Sequence, residues 1–225
     1  HYLISLQNND GSWFQEPLNT AFVLYALHIY AKTADLNLKK VLKTGTKYLE
    51  NELKTLTKNI LSSKDEEMYP GLDWKAILFG NIFYTLGIIG VIESKEEVIL
   101  AFKKLESKVI KYRHALTNVE AISSMLKCYE LPFMGEPPNE LTRFLFRFLL
   151  SDCLTNESLR DCFIALNTLT ILQNKNKEIV KQAWQEERKH YSQHRNLEYQ
   201  KLIDKVVQSK LNELGDREEI ETLAY

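Results

Sequence analysis

Four side chains able to hold a metal recur along one late stretch of this chain: Glu187, His190, His194 and Glu198. Spacings of three and four residues place all four on one face of a helix, and imidazoles with carboxylates suit a divalent cation. A bound ion would still need ligands from a second helix, and the sequence supplies none at an identifiable place. Glu186, Arg188, Lys189, Gln193 and Arg195 surround the set, which is the composition of a solvated outer helix, so no metal is expected there. The acidic run Asp65-Glu66-Glu67 lies among loop-forming residues and reads as a solvated turn. Asp152-Cys153 and Asp161-Cys162 set an acid beside a thiol, and read as core cysteines next to helix-end acids. A Gly-rich phosphate loop and a nucleophile elbow are both missing.

A different kind of site is suggested by polar residues inside apolar stretches. Asn19, Thr20, Asn81, Thr85, Thr117, Glu120 and Asn167 can line a pocket, with Phe22, Tyr25, Phe79, Phe83 and Tyr84 as its walls. Apolar walls with few polar groups are the usual character of a small-molecule site.

The elements that would position these groups are helices throughout, because no strand alternation persists. Apolar helices are expected over Leu18 to Lys32, Leu72 to Val91 and Thr117 to Tyr129, and another through Leu159, Phe163, Leu166, Leu169 and Leu172. Amphipathic helices are expected over Leu38 to Leu56 and Glu93 to Tyr112, the latter with Ser94 and Glu97 as a capping box. Tyr69-Pro70-Gly71 and the run from Leu131 to Asn139 break the chain, and Glu140 to Leu150 resumes it. Beyond Asn176 the sequence turns polar, with two further helices expected to Leu214. The later apolar helices recur at roughly 40–45 residues, a spacing shared by ring-shaped and open helical repeats.

With 225 residues, a net charge of -1 and three cysteines, the chain can build a sizeable core and makes no electrostatic case for nucleic acid. Cys128, Cys153 and Cys162 cannot all pair and read as reduced, which points to a cytoplasmic protein. Ala76 to Ile92 falls short of the roughly 20 residues a bilayer core needs, and reads as a buried helix rather than a membrane span. Phe144 to Leu150 is the one stretch that suggests peripheral membrane contact, beside the alternatives of core packing or a subunit contact.

The opening residues carry the most specific pattern. Tyr2-Leu3, then Gln7, then Gly11-Ser12-Trp13 place an aromatic-aliphatic pair, a glutamine and a Gly-x-Trp around the turn Asn8-Asn9-Asp10-Gly11. Pro17 then suits the first turn of the next helix. This arrangement resembles the QW repeat of terpenoid cyclases, and Asn19-Thr20-Ala21-Phe22 resembles the inner helix that follows such a repeat. The resemblance implies an all-α fold, an α/α toroid with inner and outer helices alternating, here one domain over 1–225 with a more polar helical extension from residue 176. An α-solenoid of HEAT type is the other architecture with the same alternation.

The resemblance also bears on chemistry. Class II cyclases protonate an alkene with the central acid of a D-x-D-D-T-A motif. Here Glu16-Pro17-Leu18-Asn19 stands in its place, so Leu18 occupies the donor's position and has no proton to give. Glu16 is the remaining candidate acid. D-D-x-x-D, which would hold Mg2+ on a diphosphate, is missing too, so magnesium is expected only with a diphosphate substrate. The zinc of protein prenyltransferase β subunits also lacks its spacing. The pattern therefore resembles the non-catalytic helical domain of class II diterpene cyclases. It implies an isoprenoid-binding or accessory module, with further domains of the same protein as partners. The alternatives are an active cyclase or prenyltransferase-like enzyme with an atypical acid, and a helical protein-interaction domain.

Overall fold

The computed structural model describes residues 2–34, 38–64, 71–92, 95–112, 119–151 and 159–192. Several expectations fall outside them: the acidic turn at 65–67, the Ser94 cap, Thr117, Asp152-Cys153, His194, Glu198 and the helix proposed up to Leu214. The described residues are helical, without a strand beyond one isolated bridge between Gln7 and Trp13. The chain divides into two compact units, His1–Gly135 and Glu136–Tyr225.

The first unit contains α1 (Tyr2–Ser5), α2 (Pro17–Thr33), α3 (Lys39–Ser62), α4 (Leu72–Ile89), α5 (Lys95–Tyr112) and α6 (Val119–Lys127), closed by a 3-10 turn, Cys128–Glu130. Helix α4 packs on both α2 and α6, forming one row, while α3 and α5 pack on each other and cover it. This two-layer order follows from composition. Helix α4 is apolar on every side because α2, α3, α5 and α6 all touch it. Helices α3 and α5 meet the row with one face only. Leu49, Leu53, Thr57 and Ile60 are the buried stripe of α3, which carries that helix six residues past the expected end at Leu56. Polar residues in the apolar row tie its members together. The Asn81 amide donates to Ser124 Oγ of α6 at 2.9 Å and to the Ile77 carbonyl at 2.8 Å, and Thr85 Oγ1 donates to the Ala21 carbonyl of α2 at 3.4 Å.

Helix α4 is the one described helix long and apolar enough to cross a membrane, and 61% of its span is buried inside the protein. Its place is the centre of the first unit.

The second unit contains α7 (Asn139–Ser151) and α8 (Leu159–Ser192), packed together. Where the sequence turns polar, at Asn176, the helical geometry breaks, with φ -125° and ψ 41°: α8 is two helical stretches joined by a kink, the second running on to Ser192. Its apolar face persists beyond the kink at Val180, Ala183 and Trp184, so packing on α7 outweighs the polar composition around it. Phe146 of α7 is buried, its ring 5.3 Å from that of Trp184, which makes the core of this helix pair from the stretch weighed for membrane contact. The reading of three reduced cysteines also needs correction. Cys128 is a buried free thiol, whereas Cys162 is disulfide-bonded.

Candidate functional site

The junction of α1, α2 and α3 is built around Trp13, which is 0% exposed. Its indole N–H donates to the Leu3 carbonyl at 2.7 Å, pinning the end of α1. Gln7 lies across the bridge from it and reaches α3: its amide donates to the Gly11 and Val41 carbonyls at 3.1 and 3.0 Å, and its oxygen accepts from Thr44 Oγ1. The turn between them is locked by Asp10, whose carboxylate accepts from the Ser12 amide and hydroxyl at 2.9 and 2.7 Å, bonds that hold its carboxyl below the ordinary value. Gly11 sits at φ +94°, and a Cβ there would lie 2.3 Å from the Thr44 carbonyl oxygen, so the turn can approach α3 only with glycine. Phe14 and Gln15 follow at positive φ and redirect the chain into α2.

The candidate acid Glu16 lies at the start of α2. Glu16 is the helix's N-cap, exposed, and its carboxylate accepts from the Asn19 side chain at 2.9 Å on the surface. Asn19 is therefore spent on that contact and is only half-buried. Thr20, expected to line a cavity, is buried under the junction. Its Oγ1 accepts from the Trp13 amide at 2.9 Å and donates to the Glu16 carbonyl at 2.8 Å, joining turn and helix.

The remaining expected wall residues separate into two groups. Phe79 and Phe83 are fully buried and point between the layers, with ring centroids 6.5 and 5.5 Å from Phe102 of α5. Asn81 is the α4–α6 tie described above. These three are core, not cavity, because α4 has a neighbour on every side. Phe22, Tyr25 and Tyr84 lie elsewhere. Phe22 is 45% exposed, Tyr25 is half-buried, and the Tyr25 and Tyr84 rings stand 5.7 Å apart. The Tyr84 hydroxyl donates to Glu130 Oε2 at 2.5 Å. Burial first, and then that hydrogen bond and the Glu130 charge, raise the Tyr84 hydroxyl well above its usual range, so it stays protonated and donating. Glu120 stands half-buried in the first turn of α6.

Two charged clusters escaped the sequence reading. In the first unit, Tyr129 donates to the buried Glu106, and Lys103 reaches Tyr129 and also Glu106 Oε2, the latter at 3.0 Å. In the second, Glu187 is 0% exposed. Its carboxylate accepts from Arg143 Nε at 2.7 Å and from Arg147 Nη2 and Nε at 2.9 and 3.2 Å. Burial opposes its charge, but the hydrogen bonds and charges of Arg147 and Arg143 outweigh it and hold the carboxyl below its ordinary value. Glu187 is thus an internal anchor rather than a free ligand on a solvated face. Both clusters had a legible sign. Glu106 continues the spacing of Phe102 and Leu105 before Val109, and Glu187 that of Val180, Ala183 and Trp184: a charge on an apolar stripe. Among the described residues, no three or more His, Cys, Asp or Glu stand together as a metal set.

No known protein family, curated protein or solved structure matches this chain.

Proposed function

We propose that this chain is a non-catalytic helical domain of the terpenoid-cyclase type, an accessory or isoprenoid-binding module rather than a cyclase. The observation that carries the reading is the start of α2. Leu18 stands where the resemblance puts the proton donor, and the neighbouring Glu16 spends its carboxylate on Asn19 at the surface. Protonating an alkene needs a carboxylic acid held against the double bond in a site closed to water. The acid nearest the Tyr25–Tyr84 pair is Glu130, which accepts a proton-sharing bond from Tyr84 instead of offering one. The Gln7–Trp13 junction supports the family reading. The partly open side of α2, with Phe22 and Tyr25, is the surface left for an apolar chain once Phe79 and Phe83 are assigned to the core.

The test is incubation of the purified protein with squalene, oxidosqualene and geranylgeranyl diphosphate, with and without Mg2+, followed by extraction for products. Binding without a cyclic product is expected. A cyclic product made by the wild type and lost in Glu16→Gln would overturn the proposal and return the acid to Glu16. Packing in two layers equally supports an open repeat that binds a protein, with Ile29 and Tyr30 of α2 also exposed; loss of isoprenoid binding altogether would favour that second reading.

A further inference from the structure

Helix α2 has the composition of a buried helix but only part of the burial. Between Glu16 and Lys32 it carries no acid, lysine or arginine. Helix α4, equally apolar, is buried along most of its length, and the amphipathic α3 and α5 turn lysines outward. A helix apolar on every side is ordinarily covered on every side. Yet α2 ends the row, packed substantially on α3 and α4, and what it turns outward is apolar. Phe22 is 45% exposed, Ile29 39% and Tyr30 56%, with Ala26 exposed between them and Val23 half-buried. Among the described residues of the first unit, the only other large apolar side chains so exposed are Trp74, Leu100 and those of α1 and the turn before α2. A contiguous patch of this kind marks a contact surface.

The stripe is also palindromic. About Ala26, Phe22 and Tyr30 stand four residues away on either side, Val23 and Ile29 three, and the polar Asn19 and Thr33 seven. These spacings share one helical face. In a two-fold contact the same patch meets itself, so residue i touches j and j touches i. An antiparallel pair of such helices about Ala26 lays Phe22 and Val23 on Ile29 and Tyr30 of the other copy, twice over. Ala26 meets Ala26 at the centre, small enough for the backbones to approach, and Asn19 meets Thr33 where the stripe ends. The two helix dipoles then oppose each other, which favours this direction, and no like charges are brought together within the contact. A parallel pair needs no such symmetry and would align the dipoles.

We propose that α2 is a self-association face, pairing antiparallel with α2 of a second copy of this chain across a two-fold axis at Ala26. The inference goes beyond the isoprenoid reading and stands without it. Aromatic side chains offer about 150–250 Å2 each, so the exposed parts of Phe22, Ile29 and Tyr30 with Ala26 and Val23 amount to roughly 300–400 Å2 per copy. That is about half of what each partner of a stable complex buries, which makes the dimer weak and reversible.

The experiment is sedimentation equilibrium of the whole chain, from about 10 µM to about 1 mM, the range in which a weak dimer forms. Lipid is left out, because an apolar ligand would share Phe22. The mean mass should climb from one chain towards two. Tyr30→Lys, at an exposed position, should leave the melting temperature of dilute protein unchanged and weaken pairing by at least about 10-fold, since each copy would set an ammonium group against apolar neighbours. Mild oxidation reads the register, with wild type as the blank. The thiol introduced by Ala26→Cys should link to itself, whereas Asn19→Cys should link only when mixed with Thr33→Cys. A chain that stays monomeric throughout overturns the inference and leaves the face to an apolar ligand or a different protein. A dimer that survives Tyr30→Lys also overturns it, and so does one in which Asn19→Cys links to itself. Each result is a mass or a cross-link, so failure here is distinct from failure of the isoprenoid incubations.

Discussion

Replacing Trp13 with alanine tests the junction on which the first unit depends. The side chain is wholly buried, and its N–H bond to the Leu3 carbonyl would be lost with it. Emptying a large aromatic site costs about 3–5 kcal/mol when the surroundings relax only partly. Relaxation should indeed be partial, because Gly45 of α3 meets the ring from below and Gln7 is held by three hydrogen bonds. For a cooperative unit of the size of residues 1–135, an unfolding entropy of about 2.1 cal/mol/K per residue converts this to a fall of roughly 11–18 °C in melting temperature. Thermal melts followed by circular dichroism at the helical band give the readout, with Trp74→Ala as control. Trp74 is exposed at the start of α4, and its removal should change stability by less than about 0.5 kcal/mol. Equal melting curves for Trp13→Ala and Trp74→Ala would refute the reasoning and show that the motif organises nothing.

Three further substitutions probe other parts of the argument. Glu187→Gln should destabilise the α7–α8 pair by about 2–3 kcal/mol, a figure discounted because Arg143 and Arg147 are one-third or more exposed and can return to water. With its folded-state value held below the ordinary 4.5, Glu187 contributes stability that is complete above that pH and fades as pH falls through the folded value. The gap between wild type and Glu187→Gln in hydrogen exchange along α8 should therefore close in acid, and a gap constant with pH would contradict this. Gly11→Ala should cost about 2–4 kcal/mol, from left-handed strain plus the collision with the Thr44 carbonyl, read in the same melts. Asn81→Ala leaves Ser124 without its partner and should cost about 1–3 kcal/mol; a neutral result in denaturant titration would mean that the α4–α6 tie is unimportant.

The sequence alone determined the helical class and most element positions, because the 3.6-residue spacing of apolar side chains is a local property. It also determined the Gln7–Trp13 turn, whose parts lie within seven residues and interact through nearby backbone. What only the tertiary structure decided is which neighbour each face meets. Phe79, Phe83 and Asn81 looked like cavity walls because their helix is apolar all round; four surrounding helices turn them into core. The stretch beyond Asn176 looked polar, yet Val180, Ala183 and Trp184 within it are buried. Glu187 looked like one ligand among four on a solvated face, until Arg143 and Arg147 arrived from a helix some forty residues earlier in the chain. Burial and pairing depend on partners far apart in the sequence, and periodicity along a single helix says which face is apolar without saying what lies against it.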